Sequence, residues 1–175
     1  MDYRRIWKPG GTYFFTVNLL QRNNNALLVE HIELLRQVVA KVKTRYPFII
    51  HAWVVLPDHI HCVIELPPHD EDFSSRWRLI KQGFSKALPI HEYRSDVRVN
   101  RGERGIWQRR YWEHLIRDEA DFNAHLDYVH INPLKHGLVQ RVIDWPYSTF
   151  HRYYQHGRYP ADWCDGGLSL PEYTE

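Results

Sequence analysis

With 175 residues, 43% apolar and 25% charged, the chain is large enough for one domain that buries its own core. A net charge of +2 is too mild to establish a nucleic-acid partner or to exclude one. No apolar run reaches the roughly 18 residues of a membrane span, and charges and glycines stand at the N-terminus where a signal peptide needs an apolar stretch. These features point to a cytoplasmic protein with no membrane partner. Cys62 and Cys164 read as free thiols.

A basic arm opens the chain. Thr12 to Leu20, aromatic and β-branched after Gly10-Gly11, predicts a strand. His31 to Tyr46 places Ile32, Leu35, Val38, Val39 and Val42 at helical spacing before Pro47. Phe48 to Leu56 and His59 to Leu66, separated by Pro57-Asp58, predict a β-hairpin. Ser74-Ser75 caps a helical pattern of Trp77, Ile80, Phe84 and Leu88 that stops at Pro89. His91 to Gly105, polar with two glycines, reads as a mobile loop. Ile106 to Ile116 predicts a fourth strand, and Asp118 to Asn132 a helix that Pro133 kinks or ends. From Asp144 onward there is no clean period.

The order predicts an α+β, ferredoxin-like split βαβ fold. Its antiparallel sheet of four to five strands has helices on one face, and an extra helix and an irregular tail follow. Residues 1–143 are expected to form the catalytic domain with its arm, and residues 144–175 an aromatic and basic tail.

On a strand, residues two apart share a face, so His59 and His61 present two imidazoles able to share a metal ion. Cys62 points to the other face, which argues against a zinc site that would use it. His51 and Trp53 could line the same face as the pair. On the helix from Asp118, the residues Asp121, His125, Tyr128 and Asn132 form one stripe, while Phe122, Leu126 and Val129 form the packed one. Each pattern alone fits an ordinary packing role. Together they offer a phenol, an amide oxygen and a metal able to polarise a phosphate. Tyr147, Tyr153 and Tyr154 in the tail are rival phenols. Basic residues cluster at Arg4, Arg5 and Lys8, at Arg76, Arg78, Lys81 and Lys86, and at Arg109 and Arg110, interleaved with aromatics, a mixture that suits phosphates and unstacked bases.

The string LPDHIHCVIELP followed by HLDYVHINPLKHGLV resembles the HUH single-tyrosine transposases, specifically the REP-associated tyrosine transposase branch. FSSRWRLIKQGFSKAL, WQRRYWEHLIRDEADF and DWPYSTFHRYY extend the likeness over nearly the whole chain. The resemblance implies Mg²⁺ or Mn²⁺ held by His59, His61 and Asn132. It implies attack by Tyr128 on single-stranded DNA at palindromic hairpins, leaving a 5′-phosphotyrosine and a free 3′-hydroxyl. Tyr3, Arg4, Arg5, Lys8, Arg76, Arg78, Trp107, Arg109 and Arg110 are the expected DNA contacts, and a monomer is the expected state. The long 91–105 connection departs from the family pattern. A non-catalytic repeat-binding regulator and a metal-dependent RNA nuclease are the alternatives.

Overall fold

A computed structural model describes residues 6–165. Four strands, β1 (Thr12–Asn18), β2 (Ile49–Val55), β3 (His59–Glu65) and β4 (Trp112–Leu115), form one antiparallel sheet in the order β2-β3-β1-β4. This is the ferredoxin-like arrangement that the element order predicts. The hairpin is as expected, with β2 and β3 meeting around Pro57-Asp58. The central strand β1 is buried on both faces because both are covered. Tyr13, Phe15 and Val17 face one core, with Cys62, Phe73, Trp77 and Phe84, while Phe14 faces another, with Leu126, Tyr128 and Val129.

After a short helix α1 (Leu27–Glu30), helices α2 (Ile32–Arg45) and α3 (Phe73–Ala87) cover the first face. The cap of α3 is Asp72, whose carboxylate accepts from the Ser75 amide at 2.9 Å, rather than the Ser74-Ser75 pair. The segment 91–105 is not an unstructured loop, since it holds a short helix α4 (Asp96–Asn100) and is pinned by Arg104. That guanidinium donates to the carbonyls of Ser85, Leu88 and Pro89 at 2.6, 3.1 and 2.9 Å and pairs with Glu92. A cation thereby satisfies carbonyls left over where α3 ends.

The fourth strand is shorter than expected. Residues 106–111 meet β1 through one isolated bridge, Leu19 with Trp107. Helix α5 (Glu119–Lys135) packs on the second face and runs through Pro133. Intrahelical bonding resumes beyond the proline, with the His136 amide donating to the Asn132 carbonyl at 2.9 Å, and Gly137 ends the helix at φ +67°.

The segment after α5 also has structure. A 3₁₀ turn (Val142–Asp144) and α6 (Phe150–Gln155) pack Val142, Phe150 and Tyr159 onto Ile131 of α5. Residues 147–149 line the open edge of β2, where the Val55 and Thr149 amides bond the Tyr147 and Trp53 carbonyls at 2.9 Å. Among the described residues no helix is long and apolar enough to cross a membrane.

One expected DNA contact turns out to be structural. Arg76 is 2% exposed, and its guanidinium donates to the Asp72 and Pro47 carbonyls and to the Asp70 carboxylate at 2.7–2.8 Å. Arg76→Ala should therefore destabilise the fold by about 3 kcal/mol, because it empties a buried, fully bonded site and takes the donor from two carbonyls and a paired carboxylate. A urea midpoint equal to that of the parent would contradict this role.

Candidate active site

The register of β1 against β3 sets Thr16 opposite His61 and Asn18 opposite His59. Both imidazoles stand on the α5 face, and both are buried. Their rings lie 4.8 Å apart, edge to face. The Asp58 carboxylate can only accept, so the His59 Nδ1 that meets it at 2.6 Å carries the proton. This tautomer keeps the His59 Nε2 lone pair for a metal. Arg22 donates to the other Asp58 oxygen at 2.6 Å. Partial burial works to raise the Asp58 carboxyl, but the bonds from His59 and Arg22 outweigh it and hold it at about 2. The Thr16 hydroxyl engages His61 Nδ1 at 2.8 Å and fixes that ring's rotation. Burial, followed by the neighbouring His59 and His136, drives the His61 imidazole well below its ordinary value and favours its neutral form.

Helix α5 brings the other groups. The ring of Tyr128 stands edge-on to His61 at 5.3 Å and to Phe14 at 5.7 Å, with only 6% of the residue exposed. One turn on, Asn132 is fully buried and its Nδ2 donates to the Tyr128 carbonyl at 2.7 Å. Its Oδ1 is buried and finds no hydrogen-bond partner among the described residues. One further turn brings His136, whose ring lies 5.0 Å from that of His59. Ring nitrogens of His59, His61 and His136 all fall within 4.8 Å of one another. The Lys135 ammonium sits 4.9 Å from the centre of the Tyr128 ring.

Residues 12–132 match the family model described as IS200-like transposase. The chain belongs to that transposase family. It is 49% identical over 163 residues to the REP-associated tyrosine transposase of Escherichia coli K12, covering 93% of this chain and 90% of the relative. It is 43% identical to a putative REP-associated tyrosine transposase of Haemophilus influenzae, covering 93% and 92%. A solved structure of a REP-associated tyrosine transposase bound to a REP hairpin superposes with a TM-score of 0.83 at 45% identity, covering 99% of this chain and 95% of that one.

In this transposase the other residues singled out in the sequence are scattered. Cys62 packs on the α2 and α3 side and Cys164 in the C-terminal cluster, both unpaired and buried. His51 bonds Glu65 at 2.7 Å, and the Tyr153 hydroxyl donates to the His51 carbonyl at 2.8 Å. Tyr3, Arg4 and Arg5 lie outside the described residues. Lys8, Arg78, Arg109 and Arg110 are exposed. Trp107 is not a stacking platform: it is 6% exposed and packs edge-on against Phe84. His114, Asp121 and His125 form a second cluster, tying β4 to α5. Its two imidazoles are stacked within 16° of parallel, so their in-plane lone pairs do not converge on one ion.

Sequence reasoning missed Asp58, Thr16, Lys135 and His136. The four-residue step from Asn132 to His136 was the available signal, and Pro133 concealed it by marking a helix end. Asp58→Asn should lower Mn²⁺ affinity about tenfold or more, since it removes the charge that orients His59. Calorimetric titration with Mn²⁺ checks this, and an unchanged dissociation constant would remove Asp58 from the site.

Proposed function

We propose that the protein nicks and rejoins single-stranded DNA at REP-type palindromic hairpins, with Tyr128 as the nucleophile and His59, His61 and Asn132 holding Mg²⁺ or Mn²⁺. The observation that carries this reading is the packing of Tyr128 against His61 on a helix whose next turn supplies Asn132. The donor set fits a divalent ion. A buried carbonyl oxygen with no partner costs about 1–3 kcal/mol, and coordination would satisfy Asn132 Oδ1. His61 needs no deprotonation to bind, and His136 stands close enough to join the set.

A bound ion would supply positive charge to the scissile phosphate. The chain's own groups do the positioning. Asp58 and Thr16 hold the two rings, and Phe14 and His61 hold the Tyr128 ring. The phenol oxygen forms a bond to phosphorus, and the bond from phosphorus to the 3′-oxygen breaks. The phenol's proton ends on that 3′-oxygen, giving a 5′-phosphotyrosine and a 3′-hydroxyl. Attack by a 3′-hydroxyl reverses the step and rejoins strands. Lys8 and Arg110, both exposed, serve as phosphate contacts, and genomic DNA as substrate sets the work in the cytoplasm.

Tyr128→Phe should abolish the covalent adduct with a labelled REP-type hairpin while leaving Mn²⁺ and hairpin binding close to those of the parent. The change deletes one oxygen and keeps the packed ring. Asn132→Ala should still form the adduct, more slowly, with Mn²⁺ affinity down about tenfold. Peptide mapping that finds the DNA on Tyr147, Tyr153, Tyr154 or any other tyrosine would overturn the assignment. Absence of any adduct from the parent protein would favour a repeat-binding regulator.

We further propose that a monomer is competent. Tyr128 meets His61 of its own chain, and the β2 edge is already occupied by residues 147–149. A mixture of His61→Ala and Tyr128→Phe should stay inactive. Recovered cleavage in that mixture would show a site shared between subunits.

A further inference from the structure

A groove of about 460 Å³ lies between α3 and the segment from Arg98 to Tyr111. Its lining carries six cations, Arg78, Lys81, Lys86, Arg98, Arg104 and Arg109, against one carboxylate, Glu103. That carboxylate is shared, 2.9 Å from Arg109 and 3.7 Å from Arg98. Among the described residues neither Arg78 nor Lys86 has a carboxylate partner, and both are exposed. Side-chain bonds to backbone carbonyls fix the groove's shape. Lys81 Nζ donates to the Gln108 carbonyl at 2.8 Å, Arg98 to the Arg104 carbonyl at 3.0 Å, and Arg104 to the last carbonyls of α3. Lys81, Arg98 and Arg104 are therefore held in place before any partner arrives, and Arg78 and Lys86 stand exposed beside them.

The groove lies near the metal-binding end of the sheet. The amide of Gln108, one of its lining residues, donates to the Asn18 carbonyl at 3.0 Å, and Asn18 is the register partner of His59. The groove's α3 wall covers the face of the sheet opposite the imidazole cluster, so the two meet only around the end of β1, where Asn18 lies between Gln108 and His59. A polyanion extending from the cluster over the end of β1 would meet these cations next. The charged groups are guanidinium and ammonium, the buried Trp107 presents no face for stacking, and the Lys81 ammonium stands over the Tyr111 ring 5.2 Å from its centre. Such chemistry reads phosphates and is indifferent to base identity.

We propose that this groove holds the sugar-phosphate backbone of the unpaired strand that flanks the cleaved phosphodiester, apart from the hairpin stem. The proposal rests on the reading of Tyr128 and the histidines as a nicking site. The test compares the full-length parent with an Arg78→Glu, Lys86→Glu variant by fluorescence anisotropy over a salt series. The probes are a REP-type hairpin carrying an oligothymidine flank and the same hairpin without it. The variant should bind the flanked hairpin at least about tenfold more weakly and the bare hairpin as the parent does. Its plot of log affinity against log salt for the flanked probe should be shallower by about 1.4, from two phosphates at about 0.7 each on a single strand.

Equal losses on both probes would overturn the proposal, since the groove would then meet the stem or act only as a general field. No loss on either would overturn it as well. If the double reversal impairs folding, the Arg78→Gln, Lys86→Gln pair serves the same comparison. Adduct formation by the parent on the flanked probe separates the two readings. An adduct without the flank-specific loss sinks the groove alone, and the flank-specific loss without an adduct sinks the nuclease and leaves the groove as a strand-binding surface.

Discussion

The hydrogen-bonded register between β1 and β3 is the constraint on which the rest depends. It places Thr16 against His61, and just beyond it the Leu19 amide holds the Asp58 carbonyl at 2.9 Å, beside His59. A slip of one residue would turn both imidazoles into the opposite core, where Cys62 now lies, because strand side chains alternate. The register is secured from both sides of the sheet. Phe15 and Val17 lock it against α3 and its neighbours, and Phe14 locks it against α5. Two imidazoles can be buried there because each has a polar orienter and the apolar packing around them leaves no alternative alignment.

Helix α5 then brings chemistry to that fixed platform. Tyr128, Asn132 and His136 recur at four-residue steps, so a single rigid element carries a phenol, an amide and a third imidazole past His59 and His61. The proline in its last turn removes one donor without unseating the helix. The Asn132 carbonyl still receives the His136 amide, and the C-terminal aromatic cluster grips Ile131 from behind. His130 belongs to that grip, with one ring nitrogen bonded to Tyr159 at 3.1 Å and the other to Thr149 at 2.9 Å. The tail and the helix that carries Tyr128 are thus mechanically one unit.

The strands, the two sheet-covering helices and the hairpin were legible in the sequence because each follows from a local period or a turn. The histidine pair was legible for the same reason, since spacing of two on a strand decides its geometry. What local pattern could not convey were contacts between distant parts of the chain. Arg104 shapes the 91–105 segment through carbonyls about 15 to 20 residues earlier, so polarity and glycines alone suggested a mobile loop there. Arg76 looked like a surface cation within a basic run, yet Pro47 and Asp70 draw it inward. Pro133 reads locally as a stop, and only packing shows that α5 continues as far as Lys135, with His136 as its cap.

The two borders of the sheet also bear on how the molecule behaves at high concentration. Exposed strand edges present unpaired amides and carbonyls that template addition of further strands from other molecules. Here the β2 border is taken up by the chain's own 147–149 segment, and the β4 border is only four residues long. Neither side offers a long, flat template. A protein with seven tryptophans, eleven tyrosines and a largely apolar central strand is thereby guarded against edge-to-edge growth, and the segment that supplies the guard belongs to the same C-terminal stretch that braces the tyrosine's helix.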